Sequence, residues 1–280
     1  MNIQNAIKEA SQILKKKNIS SFNLDSEVLM SEAIKKNREY ILLNLKKSIN
    51  QKNLNYYRRL INSRSIGKPV AYLTGKKEFW KNEFEITEDV LIPRPDTELI
   101  VDHVLKLTKN KKKLHILDIG VGSGCILLSI INEKKDFYGT GIDLSSKCLS
   151  VCSTNASKLN LNNRVKFFNS DIDNFDYGKY DIIISNPPYI NKLDLKYLDK
   201  DVLNFEPKLA LDGGLEGLSE IRKIISKSSE LIKQNGKLVL EIAFDQKEKV
   251  KKILRNKGFY INKVLKDLAK NDRCIISTKI

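Results

Sequence analysis

Residues 114–125 read LHILDIGVGSGC, a strand pattern that runs directly into a glycine loop. The apolar run up to Ile119 is typical of a buried strand of a parallel sheet. Three glycines follow at alternate positions, Gly120, Gly122 and Gly124. Glycine allows positive φ angles there and lets a ligand approach the backbone closely. With a helix predicted from Cys125 onward, the stretch is typical of a nucleotide-binding α/β domain.

The second predicted strand ends at an acidic residue, Asp143. A carboxylate at that position can accept hydrogen bonds from both hydroxyls of a ribose. Asp171, predicted to end the third strand, offers a further acceptor, for an adenine amino group. The glycine spacing departs from G-x-G-x-x-G, which disfavours a dinucleotide, and no Lys-Ser/Thr pair follows, which excludes a P-loop. The pattern therefore predicts an adenosine-containing ligand.

Strand and helix patterns alternate from about residue 112 to the end. The predicted strands are 114–119, 138–142, 165–168, 182–184, 237–242, 260–265 and 273–278. The predicted helices lie at 125–131, 145–159, 215–233 and 246–257. This alternation predicts an α/β fold with a Rossmann-like, mostly parallel sheet of seven strands.

The first 75 residues carry apolar residues at helical spacing and no strand pattern. They predict a small N-terminal helical bundle, residues 1–75, that either docks a partner or serves as a purely structural cap. Glycine and proline punctuate short aromatic pieces in the next stretch, which predicts a β-hairpin linker at 76–95. Pro95 suits the first turn of a helix, so the α/β domain is expected over 96–280.

A second motif, Asn186-Pro187-Pro188-Tyr189, directly follows the apolar strand pattern of 180–184. Asn-Pro by itself is common in turns. The two prolines nevertheless make a stiff loop with free carbonyl groups, and Asn186 adds an amide oxygen. The Asn186 oxygen and the Pro187 carbonyl could hold a planar NH2 group while Tyr189 stacks on its face. The motif therefore predicts a site for a flat amide or amine.

The composition limits the classes of function. No apolar run reaches membrane-spanning length and no secretory signal is visible, so a cytoplasmic protein without a membrane partner is expected. Four cysteines without a C-x-x-C pair and only two histidines disfavour a metal site or a Ser-His nucleophile. The formal net charge of +16 permits a nucleic-acid partner, but lysine-rich composition alone could also produce it.

Further motifs extend the argument beyond the glycine loop, Asp143 and the Asn-Pro-Pro-Tyr segment. They are Gly67-x-Pro69-x-Ala71-Tyr72-Leu73-x-Gly75, Glu78-Phe79-Trp80, Ile92-Pro93-Arg94-Pro95-Asp96-Thr97-Glu98, Phe205-Glu206-Pro207 and Asn271-Asp272-Arg273. Together these residues resemble the HemK/PrmC family, a group of class I S-adenosylmethionine-dependent methyltransferases. The resemblance covers about residues 65–280, and the first 65 residues match only in being helical.

The resemblance implies methylation of the glutamine side-chain nitrogen (N5) in the Gly-Gly-Gln loop of class-1 peptide chain release factors, which supports translation termination. The implied cofactor is S-adenosyl-L-methionine. The implied cofactor-binding residues are Gly120, Val121, Gly122, Ser123, Gly124, Asp143, Asp171, Ile172 and Asn186. Asn186, Pro187 and Tyr189 are the implied catalytic residues, and Asn186, Pro187, Pro188 and Tyr189 bind the substrate. Many family members have an aromatic residue at the position of Ile172, so only apolar contact with adenine is implied there.

Two other functions remain compatible with the sequence. An N6-adenine nucleic-acid methyltransferase would use the same grip on an exocyclic NH2 group, after base flipping in a duplex. The second is a catalytically silent cofactor-binding or ribosome-associated module, an interpretation that the intact Asn186 and Tyr189 disfavour. The release-factor reading predicts a monomer with a protein substrate, no specific nucleic-acid partner and no metal.

Overall fold

The structure is a computed structural model that describes residues 1–280. The helices are Ile3–Lys16 (α1), Phe22–Ile34 (α2), Arg38–Leu43 (α3), Gln51–Ser65 (α4), Val70–Thr74 (α5), Glu98–Leu107 (α6), Cys125–Glu133 (α7), Ser146–Lys158 (α8), Lys200–Phe205 (α9), Ser219–Leu231 (α10) and Lys247–Asn256 (α11). The strands are Lys76–Phe79 (β1), Asn82–Glu85 (β2), His115–Ile119 (β3), Tyr138–Asp143 (β4), Val165–Asn169 (β5), Tyr180–Ser185 (β6), Ile232–Glu241 (β7), Phe259–Lys266 (β8) and Asp272–Lys279 (β9).

Strands β3 to β9 form one sheet of seven strands in the order β5-β4-β3-β6-β7-β9-β8. Strand β3 is parallel to both β4 and β6, and β6 is parallel to β7. Strand β9 runs antiparallel to both β7 and β8. The predicted α/β fold with a mostly parallel seven-stranded sheet is thereby confirmed. The chain order reverses between β3 and β6, and in such sheets ligands bind outside the carboxyl ends of the strands at that point.

The two motifs of the sequence meet at this reversal. Ile119 at the end of β3 is paired in register with Ser185 at the end of β6. The Ser185 hydroxyl also donates a hydrogen bond of 2.7 Å to the Ile119 carbonyl oxygen. The glycine loop and the Asn-Pro-Pro-Tyr segment therefore leave the sheet from neighbouring strand ends.

Strand β6 supplies the centre of the apolar core beneath this edge. Ile182, Ile183 and Ile184 are at most 3% exposed, because helices cover both faces of a parallel sheet. Helix α10 packs on the sheet through Ile221 and Ile225, both fully buried. A rigid, close-packed base of this kind holds the loops above it in place.

The chain divides into two units, Met1–Lys76 with Asp199–Phe205, and Lys77–Leu198 with Glu206–Ile280. In the first unit, apolar residues of α1, α2 and α4 form a core that includes Leu14, Leu29 and Tyr57. Asparagine side chains cap α1, α3 and α4, where they satisfy backbone N–H groups of the first turn. These features explain why the segment is helical throughout.

A buried arginine ties the first unit together. Arg64 of α4 lies 2.7 Å from Asp25 of α2 and 2.8 Å from Asp201 of α9. Its remaining nitrogen contacts are with the carbonyl groups of Gly67 and Lys68. Because a buried charge is costly unless it is paired, this network ties the Asp199–Phe205 segment to the helical unit.

One predicted helix boundary differs from the structure. Helix α10 begins at Ser219 instead of 215, because Gly217 has a φ of +65° and lies against the backbone of Tyr189. The short helix α5 lies within residues 1–75, where the sequence predicts helices. Val70 and Leu73, one turn apart, both pack on the core of the helical unit, and this packing favours the helix.

The predicted hairpin β1–β2 is present as a separate two-stranded sheet. Asn155 of α8 holds it, because its side chain accepts from the Glu85 N–H at 2.7 Å and donates to the Glu85 carbonyl at 3.0 Å. The same Asn155 amide group also donates to the carbonyl of Ser123 in the glycine loop, at 2.9 Å. One buried side chain thus connects the hairpin to the loop.

Every helix in the chain is too short or too polar to cross a membrane.

Candidate functional site

The glycine loop is hydrogen-bonded to the sheet at its first residues, and the space beside Gly120 and Gly122 is open. The N–H groups of Gly120 and Val121 both donate to the Ile142 carbonyl, at 2.9 and 3.0 Å. Gly120 and Gly122 have φ values of +76° and +53°, and a Cβ atom at either position would meet nothing within 4 Å. The loop therefore leaves an open concave surface of backbone, whereas the Val121 and Ser123 residues are buried.

Asp143 stands at the carboxyl end of β4 and faces this loop. One carboxylate oxygen accepts the Gly122 N–H at 3.0 Å, and the other accepts the Ser145 N–H at 2.9 Å. These two bonds fix the orientation of the carboxylate. Each oxygen keeps a second lone pair with which it can accept from a ligand.

Asp118, in β3 just before the loop, is the first functional candidate that the sequence reasoning missed as a site residue. It is 1% exposed, and neither of its carboxylate oxygens makes a close hydrogen bond, although the nearby Leu127 backbone favours the charged form. Burial raises its pKa to about 8, and the charge of nearby Asp143 adds to the rise. Near neutral pH the buried acid is therefore mostly protonated, and a cationic or N–H donor group from outside the chain would stabilise its charged form. Its position two residues before Gly120, in an Asp-x-Gly pattern, could have indicated Asp118 as a site residue.

The predicted adenine contacts lie beyond the end of β5. That strand ends at Asn169, so Asp171 does not end it as predicted but caps a short 3₁₀ helix, accepting the Asp173 N–H at 2.9 Å. Ile172 is 7% exposed and belongs to the core cluster of the sheet. Neither observation tests the predicted roles of Asp171 and Ile172, which stay predictions.

The Asn186 side chain is oriented by a residue at the start of α6. Its Nδ2 atom donates to the hydroxyl of Thr97 at 3.3 Å. Thr97 is 2% exposed and is therefore fixed in place. The amide oxygen of Asn186 is the end that remains for an incoming N–H donor, and Pro187 behind it is buried.

Tyr189, half-buried, is fixed through its hydroxyl group. The hydroxyl lies 3.3 Å from Oε1 of Glu241, at the carboxyl end of β7. Burial and the Glu241 charge raise the pKa of Tyr189, so it remains a neutral hydrogen-bond donor. Glu241 itself is 2% exposed, and the sequence offered no signal for it beyond a single acidic residue after an apolar strand.

The segment after β7 supports the Asn-Pro-Pro-Tyr loop from behind. Gln246, 5% exposed, donates from Nε2 to the carbonyls of Tyr189 at 3.0 Å and of Gly217 at 2.9 Å. Its Oε1 accepts the Ala243 N–H at 3.0 Å. This arrangement makes the 243–246 segment a brace for the loop.

The structure thus brings the predicted residues into two neighbouring groups. Gly120 to Gly124 and Asp143 form one group, and Asn186 to Tyr189 form the other. The adjoining ends of β3 and β6 hold them side by side. No cluster of three or more His, Cys, Asp or Glu side chains that could hold a metal ion is found in the chain.

Comparisons with known proteins identify the family of the chain. The PrmC N-terminal domain family matches residues 5–75, and the methyltransferase small domain family matches residues 95–204. A release factor glutamine methyltransferase from Clostridium acetobutylicum is 36% identical, over 100% of this chain and 99% of that protein. One from Buchnera aphidicola is 37% identical over the same shares of both proteins. The chain belongs to the release factor glutamine methyltransferase family.

Membership in the release factor glutamine methyltransferase family confirms the resemblance drawn from the sequence motifs. It also extends that resemblance to the first 65 residues, which carried no specific motif, because the relatives align along the whole chain. Among solved structures, a methyltransferase from Pyrococcus furiosus is similar with a TM-score of 0.54 and 18% identity, covering 80% of this chain and 98% of that one. That similarity supports the fold.

Proposed function

We propose that this chain methylates the side-chain amide nitrogen (N5) of the glutamine in the Gly-Gly-Gln loop of class-1 peptide chain release factors. The observation that carries the proposal is the placement of Asn186-Pro187-Pro188-Tyr189 directly beside the glycine loop, on paired strand ends. Family membership supports the same reaction, since the full-length relatives are named for it. The chain is therefore a protein-(glutamine-N5) methyltransferase, an enzyme of translation termination.

The methyl donor is S-adenosyl-L-methionine, and the residues at the β3 and β4 ends fit it. The open backbone at Gly120 and Gly122 accommodates a ligand against the loop, and Asp143 offers acceptors for ribose hydroxyls. The buried Asp118 carboxylate suits a cationic or N–H donor group. When bound, this cofactor supplies an electrophilic methyl group on a positively charged sulfur.

The contribution of the chain to the reaction is to orient the amide. An amide nitrogen is a weak nucleophile because its lone pair is shared with the carbonyl group. The Asn186 oxygen and the Pro187 carbonyl accept the two N–H groups and direct the nitrogen toward the methyl group. They also stabilise the positive charge that develops on nitrogen. Tyr189 stacks on the amide plane, and the stiff Pro187-Pro188 turn keeps the acceptors in place.

We assign docking of the release factor to residues 1–75, with 76–95 as the hairpin linker and 96–280 as the methyltransferase domain. The match of residues 5–75 to the PrmC N-terminal domain family supports this division. We further propose that the chain acts in the cytoplasm as a monomer, without a specific nucleic-acid partner. The net charge of +16 is the one observation that favours an N6-adenine methyltransferase instead.

The two candidate reactions differ in their substrate, and one assay compares them. A release factor and its variant with the Gly-Gly-Gln glutamine changed to alanine are incubated with the enzyme and a methyl-labelled cofactor. We expect label only in the unchanged release factor, and none in adenine-containing oligonucleotides. Label in the oligonucleotides alone would instead support adenine methylation.

A further inference from the structure

A buried acid lies behind the two side chains that hold the substrate amide. Glu241 occupies the last position of β7 and is 2% exposed. Its Oε1 atom accepts from the Tyr189 hydroxyl at 3.3 Å, and its Oε2 atom has no hydrogen-bond partner. The mechanism above assigns no role to this residue, although a buried carboxylate without full pairing is costly to keep.

Thr97 connects the same acid to the second side chain. The Thr97 hydroxyl accepts from Asn186 Nδ2 at 3.3 Å, and its own proton is free to turn toward a neighbouring acceptor. Thr97 also interacts with the Glu241 carboxylate and favours its charged form. Glu241 therefore faces Tyr189 directly and Asn186 through one hydroxyl group.

The other charged and titratable groups around Glu241 come from three elements. Arg273 of β9 attracts its negative charge, but the Arg273 guanidinium pairs with Asp267 at 2.9 Å. Asp96, before α6, adds repulsion. Cys274, paired with Glu241 in the sheet, and Cys125 of α7 are the remaining titratable neighbours. No direct ion pair neutralises Glu241, and the Tyr189 hydroxyl donates to it directly at 3.3 Å.

We propose that Glu241 is a positioning residue for the methyl transfer: its ionised carboxylate holds the Tyr189 hydroxyl and, through Thr97, the Asn186 amide in the geometry that grips the substrate. The proposal rests on the proposed function, whose amide grip these side chains form. Glu241 acts only through Tyr189 and Asn186.

The charge of this acid changes near neutral pH. Burial raises the pKa of Glu241 to about 7, against the opposing effects of Thr97 and Arg273. The hydrogen bond from Tyr189 is charge-assisted, and so strongest, only when Glu241 is ionised, which is above that pKa. As the pH falls through about 7, Glu241 becomes protonated and the positioning weakens.

The neighbouring groups do not titrate in the same range. Burial raises the pKa of Cys125 to about 12 and raises that of Cys274 as well, so both thiols stay neutral. The pKa values of Tyr189 and Arg273 are also raised from values that already lie well above neutrality. A pH dependence of activity that is lost in variants of both Glu241 and Tyr189 therefore reports the titration of Glu241.

The test compares the full-length enzyme with Glu241→Gln, which keeps the shape of the side chain and mimics its protonated state. We expect the ratio of wild-type to variant kcat/KM for a release factor to be near one at about pH 6 and to rise to about tenfold at about pH 8. Using the ratio cancels titrations that affect both enzymes. Glu248→Gln, at an exposed position in α11, serves as the matched control with a flat ratio near one.

Tyr189→Phe provides a second measurement that does not alter the acid. If Glu241 acts through the Tyr189 hydroxyl, the ratio of wild-type to Tyr189→Phe kcat/KM should also rise between about pH 6 and about pH 8. This measurement remains informative when the Glu241→Gln variant does not fold. Flat ratios for both variants, in a wild-type enzyme that methylates the release factor, would overturn the positioning role alone. No methylation by the wild-type enzyme would instead refute the proposed function.

Discussion

The two ends of the Asn186 amide have different roles at the scale of single residues. Its nitrogen is engaged by Thr97, which orients the oxygen, and the oxygen is the acceptor offered to the substrate. A side chain oriented in this way costs little reorganisation when the substrate binds. The contribution of Asn186 should therefore appear in the rate of methyl transfer.

We expect Asn186→Ala to lower kcat by about 100-fold, as when one oriented catalytic hydrogen bond is lost. Cofactor affinity should change little if Asn186 acts mainly on the substrate. Steady-state kinetics with a release factor measure the first quantity, and calorimetry measures the second. Asn191→Ala, which removes a partly exposed amide from the same loop, is the matched control. An Asn186→Ala enzyme with undiminished kcat would remove this residue from the mechanism.

Asp143 is the residue on which the ribose assignment depends. Charge-assisted hydrogen bonds contribute about 1.5–3 kcal/mol each. Asp143→Ala should therefore weaken S-adenosyl-L-methionine binding at least several-fold, as measured by calorimetry. Part of the loss would come through the glycine loop, because Asp143 also holds the Gly122 N–H. Asp173→Ala, at an exposed acid, is the control, and equal affinities in both variants would contradict the assignment.

At the scale of elements, the Asn-Pro-Pro-Tyr loop is braced by segments distant in sequence. Gln246 holds the Tyr189 carbonyl, and Gly217 lies so close to it that a Cβ atom would be 2.3 Å from the carbonyl oxygen. A backbone contact of this kind cannot be relieved by turning a side chain. The position of the substrate loop thus depends on the absence of a side chain at Gly217.

Gly217→Ala should displace the loop and lower kcat at least about tenfold, with smaller effects on cofactor binding. The control is Gly75→Ala, because Gly75 has a similar φ of +71° but nothing within 4 Å of a Cβ atom. Both variants carry backbone strain of about 1–2 kcal/mol, but only Gly217→Ala introduces the clash. Equal activities of the two variants would show that the close packing behind Tyr189 is unimportant for catalysis.

At the scale of the whole molecule, the sheet and both motif loops were predictable because their signals are local. Strand patterns, glycines and prolines at 114–125 and 180–190 specify their own conformations. The residues that complete the site were not predictable in this way. Glu241 and Gln246 reach it through strand order and helix packing, which the neighbouring sequence does not indicate. Thr97 lies in the 92–98 motif, but the motif does not indicate its contact with Asn186. The start of α10 was misplaced for the same reason, because Gly217 owes its position to a contact with Tyr189.

The net charge of +16 is a property of the whole chain that bears on its partners. If the charge reflects composition, binding to random RNA or DNA should be weak at physiological salt. A true polynucleotide site would bind detectably and lose affinity steeply between about 50 and 200 mM salt. Fluorescence anisotropy with labelled duplex and single-stranded probes distinguishes the two. Tight, salt-sensitive duplex binding would favour the adenine reaction.

The central claim is that the substrate nitrogen belongs to a glutamine side chain. Tandem mass spectrometry of a release factor treated with the enzyme and S-adenosyl-L-methionine locates the added methyl group most directly. We expect a single methyl group on the side-chain amide of the Gly-Gly-Gln glutamine. A methyl group found only on another residue of the release factor would contradict it.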